Sequence, residues 1–108
     1  MTASQNRQRR EQGISKVLHD IMDGVGQVYF NPPNKLQYPC ILYEIAKRTG
    51  KHADDIRYTN RIQYTITVIT TDPDSDIPDK VLAALPYTTH ENRFVSERLY
   101  HDVFTHFE

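Results

Sequence analysis

The sequence predicts an α+β domain, a mostly antiparallel sheet packed by two helices in the order α-β-β-β-α-β-β. Three observations lead there. An apolar stripe at helical spacing comes first, strict two-residue alternation marks a half-buried strand in the middle, and a proline-bounded helical stretch separates that strand from a final pair. At 108 residues the chain is of one-domain size, and no repeat, low-complexity tract or linker divides it.

Residues 1–8 are polar and read as a flexible tail, leaving 9–108 as the domain. The first helix is expected over residues 9–23. Ile14, Val17, Leu18, Ile21 and Met22 fall on one stripe, Gly13 is a weak point inside it, and Gly24 suits a left-handed cap. A short strand follows at Gln27–Phe30 and is broken by Asn31-Pro32-Pro33-Asn34, since proline has no N–H for a ladder.

The next strand, Cys40–Lys47, is apolar on both faces except at Glu44 and is read as central. A polar loop over 48–57 joins it to the clearest strand, where Ile62, Tyr64, Ile66 and Val68 alternate with Arg61, Gln63, Thr65 and Thr67. The pair reads as a long antiparallel hairpin with an oversized loop.

Asp72-Pro73-Asp74-Ser75-Asp76 is a turn that leads into a second helix over 76–85. Asp76 is the expected N-cap, Pro78 sits harmlessly in the first turn, and Ile77, Val81, Leu82 and Leu85 form the buried stripe up to Pro86. Residues 87–107 read as two strands turning near Ser96-Glu97.

Composition narrows the classes. Hydrophobic residues make up 38% and charged residues 25%, the balance of a soluble globular chain. No apolar run approaches the roughly 20 residues that span a bilayer, and the N-terminus is polar and basic, so a cytoplasmic origin is expected. A net charge of −1 argues against general affinity for nucleic acid. The charge is nonetheless divided: residues 1–61 carry ten Lys/Arg against six Asp/Glu, residues 62–108 three against eight. Such a split suits opposite faces in head-to-tail packing.

The residues do not assemble into a catalytic or metal pattern. Cys40 is the only cysteine, which precludes an intrachain disulfide, and its place at the head of an apolar strand reads as buried and inert. His101 and His106, like His101 and Asp102, diverge on a strand. Asp72, Asp74 and Asp76 resemble the start of a calcium loop, but Ile77 and Ala83 occupy the positions that need Gly and a bidentate Glu. Four glycines form no phosphate loop. The expectation is therefore a non-enzyme with no cofactor and no metal. A second class, nucleic-acid binding, rests on Arg57, Tyr58, Arg61 and Tyr64 interleaving basic and aromatic residues, and on Arg7, Arg9 and Arg10. Against it, Tyr64 shares the Ile62/Ile66 core face.

Three blocks carry a family likeness: "VYFNPPNKLQYPCILYEI" at 28–45, "NRIQYTITVITTDPDSDIPDKVLAAL" at 60–85 and "RFVSERLYHDVFTHF" at 93–107. Together they resemble small tail-terminator or tail-completion proteins of long-tailed bacteriophages. The resemblance implies a virion protein of the tail–neck junction, made in the host cytoplasm. It would form a ring with itself, usually of six subunits, on the head-proximal end of the tail tube. Its partners would be the tail-tube protein and a neck or head-completion protein, and a neck or head–tail connector adaptor is the neighbouring role. Candidate contacts are the basic N-terminus, Arg48, Lys51, Asp54, Asp55 and Arg57 of the long loop, and Asp72, Asp74 and Asp76 of the acidic turn.

Overall fold

A computed structural model describes residues 2–31, 33–51 and 59–108. Its elements are α1 (Ala3–Gln12), α2 (Ile14–Met22), β1 (Gln27–Phe30), β2 (Cys40–Lys51), β3 (Thr59–Thr70), α3 (Ile77–Ala84), β4 (Thr88–Ser96) and β5 (Leu99–Phe107). The five strands form one sheet in the order β1-β2-β3-β5-β4. Only β1 and β2 run parallel; β2–β3, β3–β5 and β4–β5 are antiparallel. The α+β class and the mostly antiparallel sheet agree with the sequence reading.

The helical face of the sheet holds the core. Leu18 and Met22 of α2 and Val81 of α3 are buried against Ile41 and Tyr43 of β2, Tyr64, Ile66 and Val68 of β3, and Phe104 of β5. These strand residues lie two apart and meet in register, Ile41 opposite Val68 and Ile66 opposite Phe104, as one face of a pleated sheet requires. The other face carries Leu42, Glu44, Thr65, Thr67, His101, Val103, Thr105 and Phe107, exposed or half-buried. Cys40 and Ile69 are cross-strand partners and lie buried at one end of it.

Three boundaries differ from expectation, each for a physical reason. The first helix begins at Ala3, inside the stretch read as a tail, and Gly13 divides it into α1 and α2. Its start is a capping box. Thr2 Oγ1 accepts from Gln5 N at 3.2 Å and Gln5 Oε1 accepts from Thr2 N at 2.9 Å. No residue of α1 is buried, so it shows no stripe. Polar side-chain contacts tie it down instead: Arg9 Nε lies 2.9 Å from Glu108 Oε1, and the Arg10 guanidinium lies over the Phe30 ring at 3.8 Å.

Second, β2 runs on through Arg48 to Lys51, paired with Thr59–Ile62, where a loop was expected from residue 48. The ladder imposes the extended form there, not apolar alternation. Third, Asp76 occupies the N-cap position of α3 without a side-chain cap bond. Ser75 Oγ accepts from Ile77 N at 3.3 Å, and Asp72 Oδ1 accepts from Asp74 N at 2.9 Å, so the acidic turn is held by an Asx turn.

The β4–β5 hairpin turns on Glu97 and Arg98, with φ of 52° and 66°. Both central residues are left-handed, as a two-residue turn matching the strand twist requires. Neither side chain favours that conformation, which costs an L-residue about 1–2 kcal/mol. Replacing both, Glu97→Asn with Arg98→Gly, is expected to stabilise the domain by about 1–2 kcal/mol, read as a higher urea midpoint at unchanged slope.

Candidate functional site

The helical face carries a cleft at each end of the sheet. At the end where β3 begins, Ala3, Asn6, Arg7 and Arg10 of α1 face Ile45 and Arg48 of β2 and Ile62 and Tyr64 of β3 around about 330 Å³. Three of these eight residues are arginines, so the cleft is basic. Arg48 is opposite Ile62 in the ladder, which places it on the helical side. The α1 wall is positioned through Glu108: one carboxylate oxygen meets Arg9, and the other accepts from the Tyr64 hydroxyl at 3.0 Å. Burial, and then the Glu108 carboxylate, push the Tyr64 pKa well above its ordinary value, so this hydroxyl stays a donor.

At the end where β3 finishes, Thr70, the turn 72–75, Pro78, Asp79 and Leu82 face His90, Arg93 and Asp102 around about 520 Å³. Asp102 is the organiser. It is 4% exposed, and its Oδ1 lies 3.0 Å from His90 Nε2 and 3.8 Å from Arg93 Nε. Arg93 also donates to the Pro73 carbonyl at 2.9 Å, which ties β4 to the acidic turn.

His90 and Arg93 are three apart and would point to opposite faces of a regular strand. The register shifts between His90 and Asn92. This bulge restores them to one face, opposite Phe104 and Asp102. Alternation alone therefore could not reveal the cluster; only the bulge brings it together.

Two further histidines, His106 and His101, are accounted for by packing. His106 faces the core with Thr88 Oγ1 at 2.9 Å from its Nδ1, and burial lowers its pKa against the opposing pull of Glu108. His101 points to the open face and stacks on Phe94, centroids 4.6 Å apart. The expected divergence of His101 from both Asp102 and His106 is what the ladder shows. Cys40 is fully buried, and burial pushes its thiol pKa up to about 11, the opposite of what a nucleophilic thiolate needs. Among the described residues no three His, Cys, Asp or Glu side chains converge to hold a metal ion, and no helix is long and apolar enough to cross a membrane.

The residues singled out from sequence are thus separated rather than gathered. Arg48 belongs to the basic cleft, while Asp72 and Asp74 line the second cleft and Asp76 lies beside it, 3.5 Å from Lys80. The backbone of Lys51 pairs with Thr59. Asp54, Asp55 and Arg57 lie outside the described residues, as does Tyr58. Tyr64, a member of the basic–aromatic set, is 1% exposed and cannot stack on a base. Sequence reasoning missed His90, Arg93 and Asp102 as a cluster, and missed that Arg7 and Arg10 join Arg48.

Beyond the clefts, two surfaces are left uncovered by the described residues. β4 is an edge strand, exposed along all but its first residue. The open sheet face adds Phe94 and Phe107, 43% and 39% exposed. Comparison of the sequence with protein-family models and with curated proteins finds no match.

Proposed function

We propose that the chain is a structural subunit of a bacteriophage tail. Copies close into a ring on the head-proximal end of the tail tube, end its polymerisation and join the tail to the neck. The observation that carries this reading is a sheet that, among the described residues, is covered by helices on one face only. Its other face presents Phe94, His101, Val103 and Phe107, and its edge strand β4 leaves a row of backbone groups without a ladder partner. A small domain with such surfaces gains stability by burying them against other copies or partner subunits.

The three blocks that resemble tail-terminator proteins fall on this sheet. The first spans β1 to the middle of β2, the second β3 to α3, and the third most of the β4–β5 hairpin. The proposed mechanism is mechanical. Head-to-tail interfaces close the ring, and a closed ring offers no growing end within itself. One rim meets the tail-tube protein and the other a neck or head-completion protein.

The test is to add purified protein to assembling tail-tube subunits and examine the tubes by electron microscopy. The expected result is shorter tubes with a ring on one end. The double substitution Phe94→Glu with Val103→Glu, on the open face, is expected to abolish capping while the circular-dichroism spectrum stays that of a folded domain. Tubes of unchanged length in the presence of the parent protein would overturn the reading.

A further inference from the structure

We infer that the basic cleft between α1 and β2 receives the acidic turn of a second copy of this chain. The two charged ends lie on the same side of the sheet, one against Ile62 and the other against Thr70 of the same strand, roughly 26 Å apart at the rise of a strand. That exceeds the Debye length of roughly 8–10 Å at ordinary ionic strength. The ends therefore cannot neutralise each other within one subunit, and an end-to-end contact between subunits brings them together.

Local pairing leaves charge available at both ends. At the basic end Arg9 is taken by Glu108 and Arg10 lies over Phe30. Among the described residues no carboxylate pairs with Arg7, Arg10 or Arg48. At the acidic end Asp76 lies near Lys80, while Asp72, Asp74 and Asp79 have no cation within salt-bridge distance among the described residues. Asp72 and Asp74 stand on an exposed turn whose shape is set by its own Asx bond and by Arg93 on the Pro73 carbonyl. A preformed turn loses little freedom on docking, and arginines are the side chains best suited to grip carboxylates.

The contact is heterologous, since one end of each copy meets the other end of the next, and it repeats from copy to copy. This deepens the assembly reading and rests on it: it names which surfaces meet between neighbouring subunits.

The experiment uses two charge-reversed variants of the full chain. One carries Asp72→Lys and Asp74→Lys, the other Arg7→Glu and Arg48→Glu; all four positions are exposed, and thermal melts verify that both variants fold. Self-association is followed by sedimentation velocity at low and high salt. Parent protein is expected to associate at low salt and dissociate as salt rises. Each variant alone is expected to associate at least about tenfold more weakly. An equimolar mixture is expected to regain the parent's association, because every interface between the two variants, alternating along the assembly, is then either the original pair or its reversal.

Several results would overturn the inference: a variant that associates like the parent, a mixture that stays dissociated, or a parent that never associates at low salt. So would a cleft that binds a single-stranded oligonucleotide while neither reversal alters association. A parent that associates through these ends yet fails to cap tail tubes keeps the contact and loses the tail reading. Capping that survives both reversals does the converse.

Discussion

Phe104→Ala is expected to remove about 3–5 kcal/mol of folding stability. Phe104 is fully buried near the middle of β5, opposite Ile66 on one side and His90 on the other. It lies under the His90 ring, centroids 5.1 Å apart at 72°, an edge-on pair. Truncation opens a cavity in the one layer where helices and sheet meet, and a small domain has little else to offset it. Phe94→Ala, on the open face of the same hairpin, is the control. Its ring is 43% exposed and stacks on His101, so about 1 kcal/mol is expected. Urea unfolding of the two variants measures both. Equal losses would mean that the open face contributes as much to the monomer as the helical face, contrary to the packing described.

Gly26→Ala should be nearly as damaging, at about 3 kcal/mol, though it adds only one methyl. A Cβ at Gly26 would clash with the Pro39 carbonyl oxygen and lie 2.9 Å from Met22 Cε. The backbone comes this close because α2 ends at Met22 and β1 starts at Gln27, whose N–H donates to that same Pro39 carbonyl at 3.3 Å. Relieving the clash means parting β1 from β2 at the start of their parallel ladder, Gln27 opposite Cys40. Gly24→Ala separates crowding from conformation. Its φ is +72° with nothing within 4 Å of the added atom, so only the left-handed cost of about 1–2 kcal/mol applies. A thermal-denaturation series of both variants should show Gly26 as the more sensitive position; the reverse order would remove the close-approach argument.

These positions show where sequence reasoning reaches and where it stops. Ile62, Tyr64, Ile66 and Val68 announce β3 by alternation because one face of that strand is core and the other is not. The stripe from Ile14 to Met22 announces α2 for the same reason. Where burial does not dictate the pattern, the reading fails. α1 has no buried face, and it is tied down by Arg9 on Glu108 and Arg10 on Phe30, partners distant along the chain. Its only local signal was Thr2 with Gln5 three residues on, the spacing of a capping box. Residues 48–51 take strand form from their partner strand, so their polar character pointed to a loop.

The candidate site divides in the same way. Arg48 and the aspartates of 72–76 were visible as charge. That Arg48 shares a cleft with Arg7 and Arg10 depends on where α1 lies. The meeting of His90, Arg93 and Asp102 depends on one extra residue in β4, which period-two reasoning cannot place.

That extra residue has a consequence for growth. An open strand edge is a template, and a second chain laid along it would expose a fresh edge for a third. The register shift between His90 and Asn92 interrupts the row of donors and acceptors partway along β4. It leaves a short run on each side, and neither alone matches the length of the strand. A neighbour can add a few bonds to either run, but the pattern cannot be copied forward strand after strand, so association along this edge limits itself.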